Sequence, residues 1–499
     1  MDEVLARHQV EWDATERASA IATGREAIVR HECNRCHTID DIEPAGRSDH
    51  CTSCHQWLKG LVPGHRHYVM LSERYGEDTL LRYQRNIDHY QRVPDLTNVA
   101  QRLDPRWIRD FIADPYDLRP AMEETMVRTH LSDADRDAIA RYFAAVAEVV
   151  DPTEGGNHPA PPEASPERIA EGKHIFLRAG CTACHTLGNI DTGKTQADLE
   201  AAGIPARLAP NLRFARERMS RDVLIAWIED PASLVEGTLM PDMNLSYEAA
   251  SKVADFILHA DPELGSPAPI PSTDPPAPLD RPVGWEEVKA QLLGRICVHC
   301  HMNDHERDLG PGNEGGFGWP GSRLAMRTYE TLVAGAVDPA SGERYSVLEP
   351  REGHEHPPII EVMMLRRVEE RRDRVEAFHD AERPPHVAPG DPEPVRLGMP
   401  MGLPQIPDDQ IALIRAWIAQ GCPGPTEVTG MPGITDGFLV PDGPIAINRG
   451  CRVRAPSEDR PAWSTQPPPE WDRPETPTNM ATMTETNAMN ARPTEQPAE

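Results

Sequence analysis

One pentapeptide, Cys-x-x-Cys-His, occurs four times in this chain of 499 residues, at positions 33–37, 51–55, 181–185 and 297–301. It is the attachment signature of haem c, in which two thiols form thioether bonds to the vinyl groups and the histidine becomes an axial ligand of iron. The sequence therefore predicts four covalent haems. The attachment cysteines are Cys33, Cys36, Cys51, Cys54, Cys181, Cys184, Cys297 and Cys300, and the histidine ligands are His37, His55, His185 and His301.

A zinc site or a set of disulfides is the alternative interpretation of these cysteines. Structural zinc needs four ligands, which here would mean two Cys-x-x-Cys modules at a matched spacing. The intervals between the later motifs are long and uneven. We therefore assign eight of the ten cysteines to haem attachment.

Residues 172–257 contain a complete haem-binding unit in its shortest form. Met240-Pro241 follows the attachment motif, and a thioether is a soft iron ligand whose loop the proline holds extended. Met240 is thus the predicted second axial ligand. In the order of its motifs this segment resembles a class I cytochrome c. The resemblance implies that two helices carrying Gly172 and Phe256 cross tightly.

A first unit, at residues 1–150, repeats this order of motifs. Its Asp-Pro pair and the leucines around it keep the register of the second unit, as an internal repeat would. In that register Met126 is the counterpart of Met240, although Val127 replaces the proline. Met122 remains the rival ligand in this unit.

The two units differ by an insertion. From His37 to Pro94 the chain runs 57 positions, whereas the interval from His185 to Pro210 is 25, so the first unit carries about 32 extra residues. The insertion contains the attachment motif at 51–55. We interpret residues 1–150 as one domain with a second haem built into a loop.

The inserted haem has no Met-Pro loop to supply its second axial ligand, so a histidine is expected there. His89 is the preferred candidate because it lies just before the Pro94 segment, and His67 is the second. His65 and His50 remain alternatives. Histidine at both axial positions would give this haem a lower reduction potential than methionine ligation gives the others.

A third unit spans residues 284–425. An opening helix through Val288 and Leu292 leads into the last attachment motif, and a closing helix around Trp417 has apolar residues at helical spacing. Met399 precedes Pro400 and is the preferred second ligand. The weaker candidates are Met363, Met364 and Met401. The charged run at 366–374 is expected to be a solvated helix face.

The predicted fold is mainly α, with three class I cytochrome c-like helical domains in series, long loops and a disordered C-terminal tail. The domains are 1–150, 167–262 and 284–425, with linkers at 151–166 and 263–283 and a Pro-rich segment and tail at 426–499. Cys422 and Cys451 are left over. In an oxidising compartment a disulfide between them would stabilise the chain by about 3 kcal/mol through loop entropy.

The formal net charge of -29 excludes nucleic acid as a natural partner and favours redox proteins with basic docking surfaces. Haem c is attached outside the bacterial cytoplasm, as the resemblance implies, so a periplasmic or extracellular-facing location is expected. The first residues lack a basic and apolar signal, and we expect the signal peptide to be absent from this numbering. No apolar run is long enough to predict a transmembrane segment.

These features predict a tetrahaem electron carrier between redox partners in a respiratory or related chain. Every haem has a second axial candidate, and six-coordinate iron has no open position for a substrate. A haem enzyme with one five-coordinate iron, peroxidase-like or a small-molecule oxidoreductase subunit, is one alternative. An electron-transfer subunit of a membrane respiratory complex is the other, with that complex's subunits as partners.

Overall fold

The structure is a computed structural model. It describes residues 6–44, 56–75, 77, 80–81, 84, 93–120, 122, 126–129, 131–153, 162–191, 193, 195–263, 272–298, 301, 324–326, 328–338, 341–373 and 398–425. Several predicted features lie outside these ranges: His50, Cys51, Cys54, His55, His89, Cys300, Cys451 and the segment 426–499.

Helices dominate the described residues, which confirms the prediction of a mainly α chain. The α-helices are Ala14–Arg30, Arg66–Tyr75, Pro105–Ala113, Asp133–Ala147, Pro166–Arg178, Gln196–Ala201, Ile204–Leu208, Ala215–Arg218, Arg221–Glu229, Pro231–Leu234, Tyr247–His259, Trp285–Val288, Tyr329–Val333, Pro358–Asp373 and Asp408–Ala419. Within the described ranges the 3₁₀ helices are Cys33–Arg35, Val99–Gln101, Cys181–Ala183 and Leu212–Phe214, a π-helix is Lys289–Cys297, and strands Ala336–Val337 and Arg344–Tyr345 pair antiparallel.

The first and second units each begin and end with a long helix, here called the opening and the closing helix. They are Ala14–Arg30 with Asp133–Ala147 in the first unit, and Pro166–Arg178 with Tyr247–His259 in the second. All four begin after a side chain that accepts a backbone amide of the first turn. Ser132, for example, accepts the Asp135 amide through its hydroxyl oxygen.

Glycine allows the opening and closing helices to cross closely. A β-carbon on Gly172 would lie 2.8 Å from the Phe256 β-carbon and would overlap the Lys252 carbonyl. Gly24 meets the closing helix of the first unit at Tyr142 in the same way. The absence of a side chain is required for such contact. The tight crossing that the resemblance implied for Gly172 and Phe256 is therefore present, and the first unit repeats it.

The third unit joins its ends differently. Its opening helix, Trp285–Val288, continues directly into the π-helix that ends at Cys297. Its closing helix is Asp408–Ala419. The indole rings of Trp285 and Trp417 lie 5.9 Å apart between the two elements, within the range of favourable aromatic pairs. An aromatic contact thus joins the opening and closing helices of the third unit, whereas a glycine lies at the crossing in the other two units.

The charged run in the third unit is helical, as predicted, but the expectation of a solvated face is wrong. Arg366 and Glu369 on the helix Pro358–Asp373 are 1% and 4% exposed. They are buried because residues 398–403 cover this face: Arg366 Nε donates to the Leu403 carbonyl at 2.7 Å. The periodicity of one helix does not show whether a loop far away in sequence packs over its charged face.

The first two units contact each other through aromatic side chains and backbone. The rings of Tyr116 and Phe214 lie 4.8 Å apart. The Asn211 amide donates to the Leu118 carbonyl at 2.8 Å. Across the described residues, none of the helices is long and apolar enough to cross a lipid bilayer.

Candidate haem-binding sites

Two attachment histidines make the same hydrogen bond in the first and second units. Nδ1 of His37 lies 2.8 Å from the Pro94 carbonyl oxygen, and Nδ1 of His185 lies 2.9 Å from that of Pro210. A carbonyl oxygen can only accept, so Nδ1 carries the proton. Nε2 is left with its lone pair, which is the form that binds iron.

The third unit repeats this arrangement with a different partner. Nδ1 of His301 lies 3.2 Å from the Leu324 carbonyl, in a segment without the proline seen in the other units. Metal-ligating histidines commonly donate their second N–H to a backbone carbonyl, which fixes the ring and its tautomer. Three of the four attachment histidines thus have the same tautomer and a ring fixed by the same kind of hydrogen bond, and His55 lies outside the described residues.

The attachment motifs themselves fold as a tight turn. The amide of the histidine donates to the carbonyl of the first cysteine of its motif, at 2.9–3.0 Å in each described case. In the first two units the turn includes a 3₁₀ helix. In these two units one turn therefore holds both thiols and the imidazole within five residues. The pairs are His37 with Cys33, His185 with Cys181 and His301 with Cys297.

The electrostatics of these sites favour neutral groups. Burial raises the pKa of the Cys33 thiol to about 11, against a smaller opposing effect of its backbone hydrogen bond. Burial also raises the pKa of Cys181 and Cys184. Thiols of this kind stay protonated near neutral pH and are poor metal ligands. Burial lowers the pKa of His185, with the Pro210 hydrogen bond opposing and the Arg218 charge adding to the effect.

Met240 is held by an indole that the sequence did not single out. Nε1 of Trp227 donates to Sδ of Met240 at 2.9 Å. Trp227 lies on the helix Arg221–Glu229, which packs on the closing helix of the second unit. A thioether sulfur has a second lone pair, so this hydrogen bond leaves one for iron.

The predicted methionine ligands of the first and third units lie near one another. One cavity is lined by Met126, Arg128, Arg366, Glu369, Gly398, Met401 and Gly402. Met399 is partly buried beside this cavity, and its amide donates to the Val362 carbonyl at 2.8 Å. The structure thus brings the Met126 segment to the loop that carries Met399 and Met401.

The rival methionines have other surroundings. Met363 and Met364 are 3% and 2% exposed within the apolar core of the third unit. The amide of Met122 donates to the Arg119 carbonyl at 2.9 Å, and its side chain is partly buried. Core packing accounts for Met363 and Met364.

The insertion has a small core of its own, and His67 borders it. The His67 ring lies 5.6 Å from the Trp57 ring and 5.4 Å from that of His65. Leu61, Tyr68, Leu71 and Leu80 form the buried cluster. His67 lies at the start of the helix Arg66–Tyr75, half-buried, while His65 is exposed.

The second unit contains a buried cation that suits a haem propionate. The guanidinium of Arg218 lies 5.5 Å from the Trp107 ring, and its Nε is buried without a hydrogen-bond partner. Burying a charged group is costly unless a counter-ion joins it. Together with His185, Cys181, Cys184 and Met240, this cation makes a set of groups that fits haem c. When bound, haem c supplies an iron that gains and loses one electron.

The comparisons with known proteins agree with this chemistry. The cytochrome c family model matches residues 46–147. No curated protein and no solved structure matches the chain. Over these residues the chain is thus similar to the cytochrome c family, and this similarity supports covalent haem c, electron transfer and redox partners. The match includes the motif at 51–55 and the closing helix Asp133–Ala147, whereas the opening helix and the motif at 33–37 precede it.

The sequence alone does not single out several residues at these sites, among them Trp227, Arg128 and Glu369. Trp227 stands three residues before an Asp-Pro pair and has no motif of its own. Arg128 stands two residues after Met126, but only its burial distinguishes it from a surface arginine. Glu369 belongs to a charged run that looked solvated.

Proposed function

We propose that this chain is a tetrahaem c-type cytochrome that carries electrons between redox partners in a respiratory or related chain. The observation that carries the proposal is the repeated hydrogen bond from Nδ1 of an attachment histidine to a backbone carbonyl. It fixes the imidazole tautomer in which Nε2 carries the lone pair, and it does so in three separate units. Oriented neutral imidazoles next to paired cysteines serve haem iron and have no evident use in an apolar core.

The residues have distinct roles in this proposal. The eight motif cysteines hold the haems and the four motif histidines are the first axial ligands. Met126, Met240 and Met399 are the second ligands in the three units. His89, or else His67, is the second ligand of the inserted haem. Methionine ligation raises the reduction potential over that of two histidines, so three haems have high potentials and the inserted one a lower potential.

The domain boundaries and the location belong to the same proposal. Three domains, at 1–150, 167–262 and 284–425, carry two, one and one haems. The location is periplasmic or extracellular-facing, where haem c is attached. The net charge of -29 supports partners with basic docking surfaces, which long-range attraction would steer to this chain.

A redox titration of the complete haem-loaded protein tests the proposal. Followed by its visible spectrum, the titration should resolve three high-potential haems and one lower. The fully oxidised protein should be low-spin and should not change on addition of cyanide. A high-spin haem that binds cyanide or peroxide would contradict the carrier function and support an enzyme with a five-coordinate iron.

A further inference from the structure

A buried cluster of charges joins the first unit to the third, at the cavity that Met126 and Met401 share. The side chains of Arg128 and Glu369 are 7% and 6% exposed, and that of Arg366 is 1% exposed. Glu369 Oε2 lies 3.8 Å from Nη1 of Arg128 and 3.7 Å from Nη1 of Arg366. One carboxylate therefore faces two guanidinium groups from different parts of the chain.

Each charged side chain of this cluster also makes a hydrogen bond to the backbone. Glu369 Oε1 accepts the Gly398 amide at 2.9 Å, one residue before Met399. A β-carbon on Gly398 would overlap the backbone of Arg366, so the loop at 398–403 lies directly on the helix. Arg366 holds the other end of that loop through the Leu403 carbonyl. The Met399 loop is thus fixed at both ends by the cluster.

Arg128 holds the corresponding part of the first unit. It stands two residues after Met126, and its Nη2 donates to the Pro115 carbonyl at 2.9 Å. The same group lies 3.3 Å from Asp114, whose side chain is 29% exposed. Arg128 therefore ties the Met126 segment to the Asp-Pro turn of its own unit while it faces Glu369 of the third.

Stability alone is a poor account of this cluster. Burying several charges costs free energy, and apolar side chains of similar size often serve stability equally well. The register counterpart of Arg128 in the second unit is Asp242, an exposed residue. The second unit thus has a methionine segment of the same kind without such a cluster.

We propose that Glu369 is a positioning residue shared by two haem sites, because it fixes the Met399 loop through Gly398 and faces the Met126 segment through Arg128. The proposal rests on the proposed function, since it takes Met126 and Met399 as axial ligands. A charge buried between the two ligand segments influences both irons. A negative charge there favours the ferric state at each iron, and a positive charge favours the ferrous state.

The test is a redox titration of the complete haem-loaded chain with Glu369→Gln. Glutamine keeps an acceptor for the Gly398 amide but removes the charge. The potentials of the haems at Cys33 and Cys297 should both rise, while that of the haem at Cys181 stays unchanged. Variants Met126→Ala and Met399→Ala assign the two potentials, because each removes one methionine-to-iron absorption band. A shift confined to the Cys297 haem, or no shift, would overturn the proposal.

Arg128→Gln is the second variant and keeps the proposal testable if Glu369→Gln does not fold. Removal of a positive charge should lower the potentials of the same two haems, whereas Glu369→Gln should raise them. Loosened packing would not change the two potentials in opposite directions in the two variants. An unchanged potential at the Cys297 haem in Arg128→Gln would also overturn the proposal.

The matched control is Glu370→Gln, on the same helix. Glu370 accepts the Gln405 amide at 2.7 Å in a solvent-exposed hydrogen bond and is itself only partly buried, so water screens its charge and both potentials should stay near their native values. Equal shifts in Glu370→Gln and Glu369→Gln would overturn the proposal. Absence of haem at Cys33 or Cys297 in the native chain would instead refute the proposed function itself.

Discussion

The indole Nε1 of Trp227 donates a hydrogen bond to Sδ of Met240 at 2.9 Å. In the register of the first unit the corresponding residue is Phe111, which has no such group. The two units thus present chemically different surroundings to their predicted axial methionines. We expect this difference to appear in their reduction potentials.

Trp227→Phe should lower the potential of the haem at Cys181. The hydrogen bond draws electron density from sulfur and so disfavours the ferric iron; its loss should shift the potential by the equivalent of about 1 kcal/mol, the net value of one hydrogen bond. Spectroelectrochemical titration measures this shift. The haem at Cys33 is the internal control and should not respond. An unchanged potential at the Cys181 haem would mean that the indole only packs against the sulfur.

Gly172→Ala should destabilise the second unit by about 1–3 kcal/mol or more, because an added β-carbon overlaps the closing helix at Lys252 and Phe256. Thermal unfolding of the haem-loaded chain, followed by circular dichroism, measures the effect. His174→Ala, an exposed substitution in the same helix, is the control and should change stability little. Equal effects of the two substitutions would show that the crossing tolerates a side chain.

Tyr116→Ala should loosen the contact between the first and second units. Its hydroxyl accepts from Trp107 at 3.0 Å and donates to Glu217 at 3.2 Å, while its ring contacts Phe214. The Asn211 amide, bonded across this contact, should then exchange its hydrogen faster. Hydrogen exchange with mass spectrometry measures the rate. Tyr247→Ala, at a residue that is 61% exposed, should leave the rate unchanged.

Asp255→Asn should destabilise the second unit by about 3 kcal/mol at neutral pH. The Asp255 carboxylate is 3% exposed and pairs with Arg221 at 2.6 Å and with Arg168. It thereby connects the opening and closing helices and the helix Arg221–Glu229. Urea unfolding at pH 7 measures the difference. Asp261→Asn, at an exposed residue, is the control and should change the free energy of unfolding little.

The same pair predicts a pH dependence. Burial alone would raise the pKa of Asp255, but the hydrogen bonds from Arg221 and Arg168 outweigh it, so the pKa lies below its ordinary 3.8. A lowered carboxyl pKa gives stability that is complete above pH 3.8 and is lost as the pH falls through the folded-state value. The difference in free energy of unfolding between the native protein and Asp255→Asn should therefore be largest at pH 7 and decrease below pH 3.8. A difference that does not change with pH in that range would contradict this prediction.

The sequence predicted the features that repeat within the chain. The order of motifs singled out Met240 as a candidate ligand, and the resemblance to class I cytochrome c implied the close crossing at Gly172 that the structure contains. The buried cluster at Glu369 could not be predicted, because a run of charged residues on a helix predicts a solvent-exposed face, and the sequence does not show which loop covers it. The contact between Met126 and the third unit is likewise a tertiary feature that joins residues far apart in sequence. Cys422 is disulfide-bonded, and its predicted partner Cys451 lies outside the described residues.

The mass of the intact, haem-loaded chain tests the central claim most directly. Four attachment motifs require four covalent haems, so mass spectrometry of the fully matured protein should give the polypeptide mass plus four haems. Replacing both Cys51 and Cys54 with alanine should remove one haem and leave three. A native chain that carries three haems or fewer, or a double variant that still carries the native number, would contradict the account.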